Sequence, residues 1–322
     1  MFDVITLGSA TVDVFISSKS KNVEIMRHAK HEDVCLPIGA KILIDSLHVD
    51  TGGGGTNTAA AFSRLGLRTG WIGKLGDDAH GRHILEVLQK ENISFLGKQS
   101  KGMSGYSVIL TGVHNDRTIL AFKGINDKLS RDDIAWEQID AKWLYVSSML
   151  GQSLETAKSV IKHAKKKGMD IAFNPSLYLA QKGVKSLKEL IEGITVLICN
   201  REEANALIGT KDLSVDLLHK KLQLYSQYTV ITEGAKGASA YDGEKIFTVR
   251  PPRAKVVETT GAGDAFASGF VAGLMMSNDL RFALQLGATE ANSVIEHIGA
   301  KERLLTRSEA LSRLKKHPAK VS

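Results

Sequence analysis

Little in this chain punctuates or cross-links. Its 322 residues include five prolines and two cysteines, and aromatic residues make up 6%. No apolar run approaches the length of a membrane span, which takes roughly 18 or more consecutive apolar residues. Cys35 and Cys199 lie far apart and match no CxxC spacing. Neither a disulfide framework nor a zinc site is therefore expected, and a reducing compartment is. The first residues, MFDVITLGSA, carry no basic segment ahead of their apolar ones, so the expectation is a soluble, cytoplasmic protein that engages no membrane. Ten histidines are present, with His28 and His31, and His80 and His83, at i, i+3 spacing. No HExxH pattern or further ligand cluster accompanies them, and they are read as surface residues.

What the chain does have is apolar content, 43% of its residues, enough to bury the core of one large α/β domain. The net charge of +7, from 42 basic and 35 acidic residues, suits phosphorylated ligands as well as nucleic acid. Short β-branched runs recur: DVITLGS at the start, TGWIGKL near 70, KWLYVSS near 143, MDIAFNP near 170, ITVLICN near 194 and YTVITEG near 228. Between them, apolar residues at three-to-four spacing predict helices over 56–66, 78–92, 153–168, 201–208 and 213–226. Strands alternating with helices imply βαβ units and a parallel sheet.

Two regions break this rhythm, 14–50 and 104–123. In the second, GYSVILTGVHNDRTILAF alternates around HND as a β-hairpin does. Each is either a lid over an active site or an ordinary edge hairpin. From 263 onward the pattern is mostly helical and ends in a basic tail, with no internal repeat or flexible linker. One domain, 1–322, is expected, with lid segments at about 14–50 and 104–123.

Phosphate chemistry has no P-loop to rest on, because neither Gly73–Lys74 nor Gly97–Lys98 is followed by Ser or Thr. The run TGGGGTNTAAAFSRLG at 51–66 also misses the dinucleotide fingerprint, since Asn57 stands where the third glycine belongs. It does open a helix. Amides at such a start can approach a polar ligand, and Asn57 offers a donor and an acceptor suited to a sugar hydroxyl. A glycine-rich turn capped by Thr56 accounts for the same residues. TTGAGD at 259–264 precedes a helix of small and apolar residues, so the amides of Gly261, Ala262 and Gly263 would converge on a point that attracts anions. Asp264 is then either a favourable helix-start carboxylate or a base placed beside a phosphoryl group.

With these residues assembled, the chain resembles the ribokinase, or PfkB, family of carbohydrate kinases over essentially its full length. TTGAGDAFASGF resembles the family's C-terminal signature, and GGGGTNTAAAFSRLG with GKLGDDAHG its N-terminal one. The resemblance implies a ribokinase-like three-layer α/β/α sandwich, with a mostly parallel central sheet and a small β lid, and it implies ATP and Mg2+. Asp264 matches the family's base, and Gly261, Ala262 and Gly263 its anion hole. NREE at 200–203 matches the NxxE motif, so Asn200 and Glu203 would organise magnesium through water. TEGAKG at 232–237 resembles the nucleotide loop, which puts Thr232, Gly234 and Gly237 beside ATP, with Thr260 and Asn292 also on the nucleotide side. For the acceptor, Asp13 matches the sugar-hydroxyl aspartate, Gly53, Gly54 and Asn57 the substrate-binding glycine segment, and Asn126 would approach from the lid side.

Departures from the pattern bear on substrate more than on chemistry. Ribokinases usually carry Asn where this chain has Thr11, Lys where it has Gly54, and a glutamate near SMLGQS, so the acceptor stays open. Glu258 replaces an aspartate that borders a monovalent-cation site, which leaves potassium dependence open. The expected reaction is ATP-dependent transfer of the γ-phosphoryl group to a hydroxyl of a sugar or sugar-like acceptor. The alternatives are a nucleoside kinase, with the base stacked under a lid whose few aromatics, Phe15, Phe95, Tyr106 and Phe122, do not decide the matter, and a sugar-phosphate kinase of the phosphofructokinase kind, with a cationic pocket at Lys123 and Arg117. Nucleic acid is not an expected partner, because Lys165, Lys166 and Lys167 form a solvated helix end without interleaved aromatics. A homodimer through lid strands near 105–112 fits the family, and the same alternating hairpin equally fits a lid packing on its own core.

Overall fold

The computed structural model of the chain describes all residues except 19–23, 29–31, 112–116 and 253. Each β-branched run becomes a strand, over Phe2–Leu7, Thr69–Ile72, Ala141–Ser147, Asp170–Asn174, Ile194–Asn200 and Ser226–Thr232. They lie side by side in a ten-stranded sheet, ordered 226–232, 194–200, 170–174, 141–147, 2–7, 69–72, with every neighbouring pair parallel. Their runs are continuously apolar because helices cover both faces. Successive side chains along a strand point to opposite faces and so fill two cores. Ile5, Leu144, Ile171 and Leu197 enter one; Val4, Tyr145, Ala172 and Val196 enter the other.

The first core is closed by the helices Gly151–Lys166, Arg201–Ile208 and Val215–Leu222, the second by Gly54–Arg64, Ala262–Ser277 and Leu280–Val294. This is the three-layer α/β/α sandwich with a mostly parallel sheet that the sequence implies. Helix 262–277 is apolar on all sides, and its Phe266, Phe270 and Leu274 are buried, each such side chain contributing roughly 1.5–3 kcal/mol. The helix expected over 213–226 is shorter, Val215–Leu222, because the chain turns at Leu224 and Tyr225 and enters the strand at Ser226. Antiparallel strands Ala238–Tyr241, Ile246–Arg250 and Lys320–Val321 extend one edge of the sheet. They are too short for periodicity alone to reveal.

The irregular regions form a second, four-stranded sheet in the order 117–122, 105–111, 11–17, 46–52. Gly105–Thr111 and Arg117–Phe122 pair antiparallel as the expected hairpin, while its HND turn lies outside the described residues. Gly105–Thr111 and Thr11–Ser17 run parallel, and Thr11–Ser17 pairs antiparallel with Ser46–Gly52. A smaller hairpin, Glu24–Arg27 with Glu32–Cys35, sits within the first region. Phe95 does not belong to this sheet: strand Ser94–Phe95 edges the central sheet, and the ring stacks on Trp71 at 5.1 Å between centroids. Of the histidine pairs, His28 reaches Asp33 at 3.0 Å and His83 is exposed; His31 lies outside the described residues.

Candidate active site

In a parallel sheet of this kind the crevice for ligands lies beyond the carboxyl ends of the strands. A cavity of about 300 Å³ opens there, lined by Ser9 after strand 2–7, Ser147 to Leu150 after 141–147, Asn174 to Ser176 after 170–174, and Glu203 after 194–200. Gly54, Asp264, Lys123, Asp127 and Tyr178 complete the wall.

Asp264 is on the first turn of helix 262–277, whose N-cap, Gly261, has φ 80°. That left-handed turn aims the helix start at the cavity, and a side chain at Gly261 would collide with Ala300 at 2.6 Å. The three amides of the expected anion hole are not equivalent. Ala262 N–H closes a turn onto Thr259 O at 3.2 Å, whereas the first helical bond runs from Ala265 N–H to Gly261 O at 2.8 Å. The N–H groups of Gly263 and Asp264 precede that bond at the helix's positive end, and open space stands where a Gly263 side chain would be. Glu258, buried, shapes the approach: its Oε1 accepts from Thr259 N, Thr260 N and Thr260 Oγ1 at 2.8–2.9 Å.

The glycine segment meets this helix directly. Asn57 Nδ2 donates to Asp264 Oδ2 at 2.9 Å, joining two motifs 207 residues apart. Asn57 Oδ1 and Ser147 Oγ are buried without a hydrogen-bond partner, a state that a polar ligand would relieve. The N-cap of helix 54–64 is Gly53, φ 97°, with no side-chain cap bond. Thr56 therefore does not cap the turn: it lies inside the helix and donates back to Gly52 O at 2.7 Å. A side chain at Gly53 would strike Ser9 O at 2.5 Å, and one at Gly54 would fill the space between Ser147 Oγ and Asp264 Oδ1.

Asp13 is buried on the central strand of the second sheet, and its Oδ1 accepts from Thr11 Oγ1 at 2.8 Å. Its other oxygen occupies the place that a Gly52 side chain would take. Burial pushes Asp13 above the ordinary carboxylate range against the hydroxyls of Thr11 and Ser107 and the charge of Lys301. Burial likewise raises Asp264, with the charge of Asp13 adding to it. Glu203, tied through Oε2 to Asn200 N–H at 2.9 Å while Asn200 Oδ1 accepts from Glu203 N–H, is pushed up to about 7 by burial and by the charges of Glu202 and Asp264.

The structure thus brings Asp264, Gly54 and Glu203 to one cavity, with Asn57 directly on Asp264. Asn200 pairs in register with Thr232, whose strand leads into the turn Gly234–Lys236 and Gly237, next along the sheet edge. Asn292 donates to Pro252 O at 3.3 Å. Asn126 does not line the cavity: buried, it spends both ends of its amide on the Ala10 backbone, at 2.8 and 3.1 Å. Its neighbours Lys123 and Asp127 face the cavity instead; the Arg117 side chain lies outside the described residues. Sequence reasoning passed over Ser147, Asn174 and Tyr178. The signal for Ser147 and Asn174 was position at the C-terminal ends of strands rather than any motif, and Tyr178 lies in the short helix Leu177–Ala180 just beyond.

A pfkB family carbohydrate kinase model matches residues 5–307. The chain is 27% identical over 315 residues to a ribokinase of Bacillus subtilis, covering 96% of this chain and 98% of that one. Among solved structures it superposes on an adenosine kinase from Sinorhizobium meliloti with a TM-score of 0.82 at 22% identity, over 97% of this chain and 99% of the other. An Arabidopsis thaliana ribokinase complexed with ribose and ATP gives a TM-score of 0.79 at 23% identity, over 98% and 99%. At such identities the structures speak for the fold. The family match spans nearly the whole chain, and it makes this protein a member of the pfkB family of carbohydrate kinases, an ATP-dependent phosphotransferase of the sugar or nucleoside kind.

Proposed function

We propose that this enzyme phosphorylates a primary hydroxyl of a free sugar or sugar-like polyol. Asp264 is its base, and the Gly261 and Gly263 amides stabilise the transferring group. The observation that carries this reading is the 2.9 Å hydrogen bond from Asn57 to Asp264 on the cavity wall. It fixes one carboxylate oxygen and leaves Oδ1, on the Gly54 side, to take the hydroxyl proton. The acceptor oxygen bonds to the γ-phosphorus of ATP, the bond from that phosphorus to the β,γ-bridging oxygen breaks, and ADP leaves. Charge on the moving phosphoryl group meets the helix start, where amides and dipole are already oriented.

Asp13 holds the acceptor through its carboxylate, with Gly52 to Gly54 leaving room. Thr232, Gly234 and Gly237 flank the nucleotide, with Thr260 and Asn292 on the same side. The donor set around Glu203 and Asp264 is hard oxygen, and burial together with the neighbouring charges of Glu202 and Asp264 raises the proton affinity of Glu203, a situation that suits a divalent cation. Asn200 and Glu203 would hold magnesium through water, and the ion would neutralise phosphate charge. Glu258 is engaged by the amides of its own loop, which gives no support to potassium activation.

A sugar is favoured over a nucleoside because three of the four aromatic side chains considered for a base pack on other rings, and the fourth, Phe122, is half exposed and does not line the cavity. Phe15 is buried 6.0 Å from His48, Tyr106 lies 5.2 Å from His80, and Phe95 is on Trp71. Among the described residues, Tyr178 is the aromatic side chain on the cavity wall. ADP release measured against a panel of pentoses, hexoses, sugar phosphates and nucleosides tests this, and preferential turnover of a nucleoside would reject it. Lys123, on the cavity wall, keeps a sugar phosphate among the panel's informative members.

The second sheet serves as lid and exposes Leu47, Val49, Leu120 and Phe122, each about half accessible. This supports a homodimer through that sheet, which a monomeric mass in light scattering would exclude. A reducing, cytoplasmic setting accords with the free thiols of Cys35 and Cys199.

A further inference from the structure

Lys301, in the loop after helix 280–294, is 5% exposed, a rare state for a lysine. Its Nζ donates to the buried Thr51 Oγ1 at 2.6 Å. A hydroxyl satisfies one of three ammonium donors but does not balance the charge. The loop that carries it is held in place on several sides. Arg64, bonded twice to Glu91, donates to Lys301 O at 2.9 Å and Leu304 O at 3.2 Å. Ala300 lies against Gly261, and Gly299 against Asp50. One short segment therefore touches both the anion-hole glycine and the lid strand 46–52.

That strand presents an electrostatic problem. Asp50 stands directly opposite Asp13 in the antiparallel register, and like charges placed so are mutually destabilising. Thr51, the residue that Lys301 grips, lies between Asp50 and Gly52. Among the groups that act on Asp13, Lys301 is the cation, opposing burial and the charge of Asp50. In return Asp50, Asp13 and Glu91 favour the charged lysine, while burial and Arg64 oppose it. Lys301 also draws Asp264 down. Further ionisable groups at the loop include Arg303 within it, Glu290, whose Oε2 accepts from Leu305 N–H at 3.3 Å, and His48 and Glu302, both within 4 Å of where a Gly299 side chain would be.

We propose that Lys301 is a positioning residue: its buried ammonium is the counter-charge that keeps Asp13 ionised opposite Asp50, so that Asp13 can accept hydrogen bonds from acceptor hydroxyls. The proposal rests on the reading of Asp13 as the acceptor carboxylate, and its test separates the two. Thermal unfolding of wild type, Lys301→Met, Asp13→Asn and the double variant is measured at pH 5 and pH 8, with no acceptor present. The loss of Tm in Lys301→Met should be larger at pH 8 than at pH 5 and should shrink markedly once Asp13 is already Asn. Additive, pH-independent losses overturn the proposal. Should Lys301→Met fail to fold, Lys301→Gln takes its place in the same cycle.

With the fastest sugar of the panel as acceptor, the acid limb of kcat/KM should move up by roughly one pH unit or more in Lys301→Met. KM at pH 7 should rise about tenfold with kcat less affected, and Lys301→Arg should restore the limb. An unmoved limb also overturns the proposal. An unchanged acceptor KM in Asp13→Asn instead defeats the acceptor reading, whatever the unfolding cycle says about the coupling of Lys301 to Asp13.

Discussion

Converting Asp264 to asparagine isolates the oxygen proposed to accept the proton from everything else that the residue does. Oδ2 accepts from Asn57 Nδ2 at 2.9 Å, and an amide at 264 can offer its carbonyl to the same donor, so the link between the two motifs survives. The other position, on the Gly54 side of the cavity, changes from a proton acceptor to an NH2 group. Burial and the Asp13 charge hold the Asp264 carboxyl above its ordinary value. A carboxyl raised in the folded state adds stability that is full below its unfolded pKa and is lost as pH rises through the folded one. At pH 8 the asparagine variant should therefore melt no lower than wild type. General-base catalysis contributes typically 10²- to 10⁴-fold, or about 3–5.5 kcal/mol of barrier. The expected outcome in an ADP-release assay is a fall in kcat of that size, with ATP affinity by calorimetry changed less than about threefold. A variant that keeps more than about a tenth of wild-type kcat refutes the assignment of Asp264 as base.

The two neighbouring glycines should fail differently when changed to alanine. Gly53→Ala places a methyl 2.5 Å from Ser9 O at φ 97°, which should cost roughly 2 kcal/mol or more and lower the Tm. Gly54→Ala, 3.0 Å from Ser147 Oγ and 3.6 Å from Asp264 Oδ1, should melt close to wild type yet lose acceptor turnover; equal losses of stability in the two variants contradict this geometry. Glu290, fully buried between helices 262–277 and 280–294 with Oε1 unpartnered, is pushed up to about 8 by burial. Because its folded pKa is the higher one, wild-type stability should decline as pH rises from about 4.5 to 8, by something like 4 kcal/mol from this group at most. Glu290→Gln should accordingly raise Tm at pH 8 and much less at pH 5, and the reverse order in calorimetric scans would be incompatible with a buried, reluctant carboxylate.

The local structure of the candidate site's motifs could be read from the sequence because the pieces are local. TTGAGD starts a helix with a left-handed glycine, and NREE folds into its own capping box. Asn126 shows the limit. KGIND is polar and directly follows strand Arg117–Phe122, yet the amide is satisfied by Ala10, 116 residues away, a partner that no local pattern indicates. Phe95 was misplaced for the same reason: a two-residue strand is assigned by the neighbour it pairs with, here Trp71 and Gly70, not by its own periodicity.

The sequence by itself determined the alternation of strand and helix, the two faces of the sheet and the motifs that start helices at ligand-ready ends. These follow from side-chain periodicity and backbone propensity, which act over a few residues. Only the tertiary structure decided that Asn57 reaches Asp264 and that Lys301 grips Thr51, next to Asp50 on the strand opposite Asp13. Hydrogen bonds and charges act through space over a few ångströms. The residues they join here are up to 250 positions apart along the chain, so their meeting depends on how the whole chain packs.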